Sequence, residues 1–100
     1  MLNDLGQADC SDFIFSIVEY TDHEGHSTGF GVKNPKYADA FKDAEQAGMT
    51  ILKAIAARET YESEDWLILI TTDHGGYNRG HGQRTIMERY TFLVSNKEIL

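Results

Sequence analysis

The chain is poor in cysteine, proline and positive charge. Cys10 is its one cysteine, so no intrachain disulfide forms and the redox compartment cannot be read from cysteine usage. Pro35 is its one proline, and with Asn34 it marks the end of a loop. Nine Lys and Arg stand against sixteen Asp and Glu, a net charge of −7. That balance excludes a phosphate-backbone partner such as a nucleic-acid polymer. It suits cation binding, and equally a solvated acidic surface. No run approaches the roughly 18 apolar residues of a membrane span. Met1–Asp12 is polar and acidic, unlike a signal peptide. No internal repeat or low-complexity tract is present.

What remains is one small domain. One hundred residues suit a single unit, and a chain of this size buries only roughly 60–65 % of its unfolded surface. Met1–Asp12 reads as a polar, frayed lead-in. Phe13–Tyr20 is aromatic and β-branched, and reads as a strand. Thr21–Pro35, with Gly25, Gly29 and Gly31, reads as a loop. Tyr37, Phe41, Ala44, Gly48, Ile51, Leu52 and Ile55 recur at helical spacing, which predicts an amphipathic helix ending near Arg58. Glu59–Asp65 is a polar turn. Trp66–Thr71 is continuously apolar and reads as a strand covered on both faces, as in a parallel sheet. Thr72–Arg89 is a long polar loop, of the kind that is uncommon unless functional or disordered. Tyr90–Ser95 reads as a third strand.

Strand, helix, strand in that order predicts a βαβ unit with a right-handed crossover and parallel strands. Ligands in such sheets bind beyond the C-terminal strand ends. Two clusters of metal-ligating side chains follow those ends: Asp22 and His26 after the first strand, then Asp73, His74 and His81 after the second. Imidazole with carboxylate suits zinc, and also manganese or iron. Gly25, Gly75, Gly76, Gly80 and Gly82 allow the backbone to turn closely around an ion.

At these residues the chain resembles the alkaline phosphatase superfamily, nearest its phosphodiesterase and nucleotide pyrophosphatase-like members. Asp22-His23-Glu24-Gly25-His26 resembles that group's Asp-x-x-Gly-His segment. Leu69-Ile70-Thr71-Thr72-Asp73-His74-Gly75 resembles its strand with Asp-His-Gly, and Gly80-His81-Gly82 resembles its late metal-binding histidine. The resemblance implies an α/β fold, a partial three-layer sandwich with a mostly parallel sheet. It implies two Zn2+ ions, one on Asp22, His26 and His81 and one on Asp73 and His74. It implies hydrolysis of a small phosphate ester, a phosphodiester or nucleotide pyrophosphate. The family's Ser or Thr nucleophile lies earlier in its fold. Ser11, Asp4, Asp9 and Asp12 lack the strand-then-helix setting for that role, so residues 1–100 read as a partial phosphohydrolase domain without its nucleophile-bearing half. A non-catalytic remnant that binds one metal, or a sulfatase or phosphomutase of the same superfamily, fits the same motifs.

Other residues weigh less. His23 and Glu24 read as loop side chains or extra ligands. Arg79 and Arg84 read as surface charge or as forked donors to a phosphate. Thr71 and Thr72 could back a ligand, and Tyr77 could stack on an aryl group. One helix covers only one face of the Trp66–Thr71 strand. Apolar surface should therefore be left for self-association or for a complementary half.

Overall fold

Asn34 and Pro35 begin the longest element. In a computed structural model describing residues 1–99, α3 spans Pro35–Ala56, with Pro35 in its first turn and the Asn34 side chain accepting the Lys36 N–H at 3.2 Å. Proline suits a first turn because that N–H lacks an intrahelical partner anyway. The helical periodicity is thus realised. Ala40 and Ile55 are buried on its inner face, while Phe41 of the expected stripe is exposed.

Residues 21–28 do not form the expected loop. Helix α2 runs Tyr20–Thr28 and packs on α3. Asn34 joins the two helices, donating to the Thr28 hydroxyl at 2.8 Å and the Gly29 carbonyl at 2.7 Å. Gly25, a loop signal in the sequence, is instead buried mid-helix against the Phe30 ring. A short helix α1, Leu2–Leu5, replaces the expected frayed lead-in, and Leu5 is the most deeply buried side chain.

The expected sheet is overturned. Helix accounts for 42 % of the chain, and the sheet has two strands, β1 Leu69–Thr71 and β2 Leu93–Ser95, paired antiparallel. Neither the βαβ unit, the mostly parallel sheet nor the three-layer sandwich is present among the described residues. The register is Leu69 with Ser95, Ile70 with Val94 and Thr71 with Leu93. Asn96 locks that arrangement. Its side chain accepts the Ile68 N–H at 2.8 Å and donates to the Trp66 carbonyl at 3.0 Å, and its own N–H donates to Ile68 at 3.2 Å. Of the expected strand Phe13–Tyr20, Tyr20 begins α2, and residues 13–18 make no backbone hydrogen bonds among the described residues. β1, read as covered on both faces, is exposed throughout.

A second anchor ties the N-terminal segment to the end of α3. The Arg58 guanidinium donates to the carbonyls of Leu5, of Gln7 at 2.8 Å and of Ala8 at 3.3 Å. It also pairs with Glu64, at 2.6 and 2.9 Å. Glu64 further accepts the Thr60 hydroxyl at 2.6 Å and the Trp66 indole N–H at 2.7 Å. The Arg58 bond foremost, then Thr60 and Trp66, hold the Glu64 carboxyl down at about 2 against an ordinary 4.5. A carboxyl depressed in the folded state takes up its proton later than in the unfolded chain. Its contribution is therefore complete above pH 4.5 and is lost as pH falls from there toward about 2. The melting temperature should drop across that window, and Glu64→Gln should flatten the drop. An identical pH slope in the variant would remove Glu64 as its cause.

Candidate metal centre

Asp22 and His26 lie four residues apart on α2, so one helical turn sets both on the same face. The loop between β1 and α4 (Ile86–Arg89) brings in the other histidines. Several hydrogen bonds hold that loop. The Gly75 N–H donates to the Glu88 carbonyl at 2.8 Å, and Tyr77 and Gly80 bond each other across a tight turn. Asn78 takes φ 52° in that turn, a left-handed conformation that asparagine tolerates.

The turn meets α2 and the residues just after it through two carbonyls. Asn78 accepts the Phe30 N–H at 2.6 Å, and Arg79 bonds His26 Nδ1 at 2.8 Å. Farther along, Glu88 is buried at the start of α4 and forms a reciprocal cap with Thr85. The Thr85 hydroxyl foremost holds its carboxyl below the usual range. Burial opposes this, while the N–H groups of Gln83 and Thr85 and the His81 charge assist.

These supports converge on one atom. Asp22 Oδ1 is buried and makes no hydrogen bond among the described residues. Around it stand His81 Nε2 at 3.3 Å, His26 Nε2 at 3.5 Å and His74 Nε2 at 3.8 Å. Donor atoms bound tetrahedrally to zinc, each about 2.0–2.2 Å from the ion, sit about 3.3–3.5 Å from one another. The first two distances match that separation and are long for a hydrogen bond. The ligand atoms of Asp22, His26 and His81 all lie within 4.8 Å of one another.

The ring tautomers fit as well. His26 Nδ1 faces the Arg79 carbonyl and His74 Nδ1 faces the Gly75 carbonyl at 2.7 Å. A carbonyl only accepts, so each Nδ1 carries a proton, and Nε2 is the ring nitrogen turned toward Asp22. A backbone carbonyl behind a ligating histidine is the usual outer support of a metal site. A buried carboxylate oxygen without a hydrogen bond is unfavourable by itself. A divalent cation held between it and the Nε2 atoms would satisfy it, and the residues present fit one.

The expected ligands divide unevenly. Asp22, His26 and His81 come together. His74 stacks on His81 with ring centroids 3.6 Å apart and stands at the margin of the same cluster. Asp73 has an 89 % exposed side chain and reaches His74 Nε2 at 3.7 Å. His23 is exposed, and Glu24 accepts the Thr28 hydroxyl at 3.0 Å. Thr72 donates to the His74 carbonyl at 2.9 Å and Thr71 to the Phe92 carbonyl at 2.5 Å. Arg79, Arg84 and Tyr77 are exposed.

Sequence reasoning missed Phe30 and the site role of Tyr37. A Cβ on Gly25 or Gly76 would fall 2.4 or 2.3 Å from Phe30 ring atoms, so the ring is wedged between those two backbones. It meets His26 and His81 edge-on, with centroids 5.5 and 6.2 Å away, and it packs on Tyr37 at 5.7 Å. The Tyr37 phenol is pushed up, first by burial and then by the Asp22 charge. Paired glycines in both ligand clusters, with an aromatic between Gly29 and Gly31, were the available signal.

No family model, curated protein or solved structure matches the chain.

Proposed function

We propose that the chain holds one zinc-type cation on Asp22, His26 and His81 and uses it to bind phosphate esters. On this reading the unit belongs to a metal-dependent phosphohydrolase. The observation that carries it is the unpaired Asp22 Oδ1 with His81 and His26 Nε2 at 3.3 and 3.5 Å. Three protein ligands leave a position open for an outside oxygen. Bound there, the cation supplies Lewis acidity toward a phosphoryl oxygen. Asp22 and the two histidines orient it, and the Arg79 carbonyl fixes the His26 ring. The cluster is open to solvent, with side-chain exposures of 38 % for Asp22, 46 % for His26 and 29 % for His81. A small anion can therefore reach it.

The choice of phosphate esters rests on the resemblance of the Asp-x-x-Gly-His and Asp-His-Gly segments. Covalent phosphoryl transfer also needs an activated nucleophile. The hydroxyls of Thr28, Thr71 and Thr72 are engaged away from Asp22, so the chain by itself is expected to bind without turnover. The test uses the zinc-loaded chain with inorganic phosphate and an aryl phosphodiester. Phosphate should bind in the wild type and not in His26→Ala, and hydrolysis should stay at the variant's background. Zinc binding without phosphate binding would leave a metal-binding module and remove the phosphohydrolase reading. Turnover lost in His26→Ala would show that the chain carries its own nucleophile.

A further inference from the structure

The molecule exposes far more surface than its size requires. Its accessible area is 8015 Å², whereas a folded monomer of 11.3 kDa exposes about 5,700 Å² by the general size scaling. Its radius of gyration is 16.0 Å, against about 13 Å for a compact chain of this length. The excess, about 2,300 Å² per chain by that scaling, is of the size that a stable subunit interface removes.

Two features of the same chain account for where it lies. Residues 13–18 have strand-forming composition, yet they make no backbone hydrogen bonds among the described residues. Phe13, Phe15 and Ile17 are 82, 73 and 70 % exposed. β1 pairs only with β2, so its other edge is free among the described residues, and its neighbour Leu67 is exposed as well. An unpaired strand-forming segment and an unpaired sheet edge are complementary in hydrogen bonding. Neither surface carries charge: residues 13–18 and 66–72 contain no acidic or basic side chain, although the chain has a net charge of −7. Two copies can therefore bring these surfaces together without setting carboxylates against carboxylates.

We propose that this face is an interface between two copies of the chain. Residues 13–18 of each copy add as a strand to the free edge of β1 in the other. The exchange is reciprocal, which closes the pair with two-fold symmetry and covers the free β1 edge of each copy. The inference is independent of the metal centre.

The test is sedimentation equilibrium of the full chain in EDTA, which removes metal-bridged association, together with amide hydrogen exchange of residues 13–18. A dimer with these amides protected is expected. Ile17→Pro removes one donor from an exposed position and should shift the chain to monomer with its far-UV helical signal unchanged. Phe15→Glu, which places like charges in the interface, should do the same and provides a second variant should Ile17→Pro misfold. A monomer across the concentration range would overturn the proposal. So would a dimer in which residues 13–18 exchange freely, or open-ended aggregation in place of a closed pair.

Discussion

Zinc titrated into the purified chain should saturate at one ion per chain, and His26→Ala should lose that site. His26 contributes Nε2 at 3.5 Å from Asp22 Oδ1, while its Nδ1 is fixed on the Arg79 carbonyl. Replacing outer supports of a metal ligand already costs about 10–100-fold in affinity. Removing one of three direct ligands should cost more than about a hundredfold on the same scale. His74→Ala should fall in the outer-support range, because its Nε2 stands 3.8 Å from Asp22 Oδ1. Asp73→Ala should change affinity little, since that side chain is almost wholly in solvent. Calorimetry of the four proteins checks the order. Equal affinity in His26→Ala and the parent would end the assignment.

The second large effect is expected at Gly75. A Cβ there would fall 2.0 Å from the Met87 carbonyl oxygen, 3.1 Å from its carbon and 3.2 Å from the Tyr90 oxygen, all backbone atoms. No side chain can rotate away, so Gly75→Ala must push the histidine-bearing loop off α4 and strain the bond between Gly75 and Glu88. Overpacking of this kind costs about 1–3 kcal/mol, and more where nothing can yield. For a domain of this size each kcal/mol lowers the melting temperature by about 4–8 °C. A fall of roughly 10 °C or more is therefore expected, together with weaker zinc binding. Gly80→Ala is the control, because nothing lies within 4 Å of its added Cβ. Equal melting temperatures for the two variants would contradict the packing described around Gly75.

The contrast between these two sites shows what the residue pattern carries. Asp22 and His26 were legible as candidate ligands because their chemistry depends on side-chain type. Their four-residue spacing serves equally well on the helix that forms as on the loop expected. α3 was legible because its period is local. The sheet was not. Phe13–Val18 and Trp66–Thr71 announce strand propensity, but pairing is a tertiary choice. Here Asn96 clamps the run before β1 to the end of β2 and fixes an antiparallel pair. Apolar continuity at Trp66–Thr71 was read as burial, yet its exposed residues lie where a second chain can add. Gly25 and Gly76 were read as turn formers, and they are instead gaps that admit Phe30. That distinction depends on a residue distant from Gly76 in sequence and is invisible to local reasoning.

On the proposed reading, a carboxylate and imidazoles from α2 and the loop between β1 and α4 share one cation. X-ray absorption at the zinc edge, on the chain loaded with one equivalent, reads that ligand shell directly. Nitrogen and oxygen neighbours are expected at about 2.0–2.2 Å, with the outer scattering of at least two imidazole rings. A shell of water oxygens without imidazole scattering, or sulfur from Cys10 at about 2.3 Å, would contradict it.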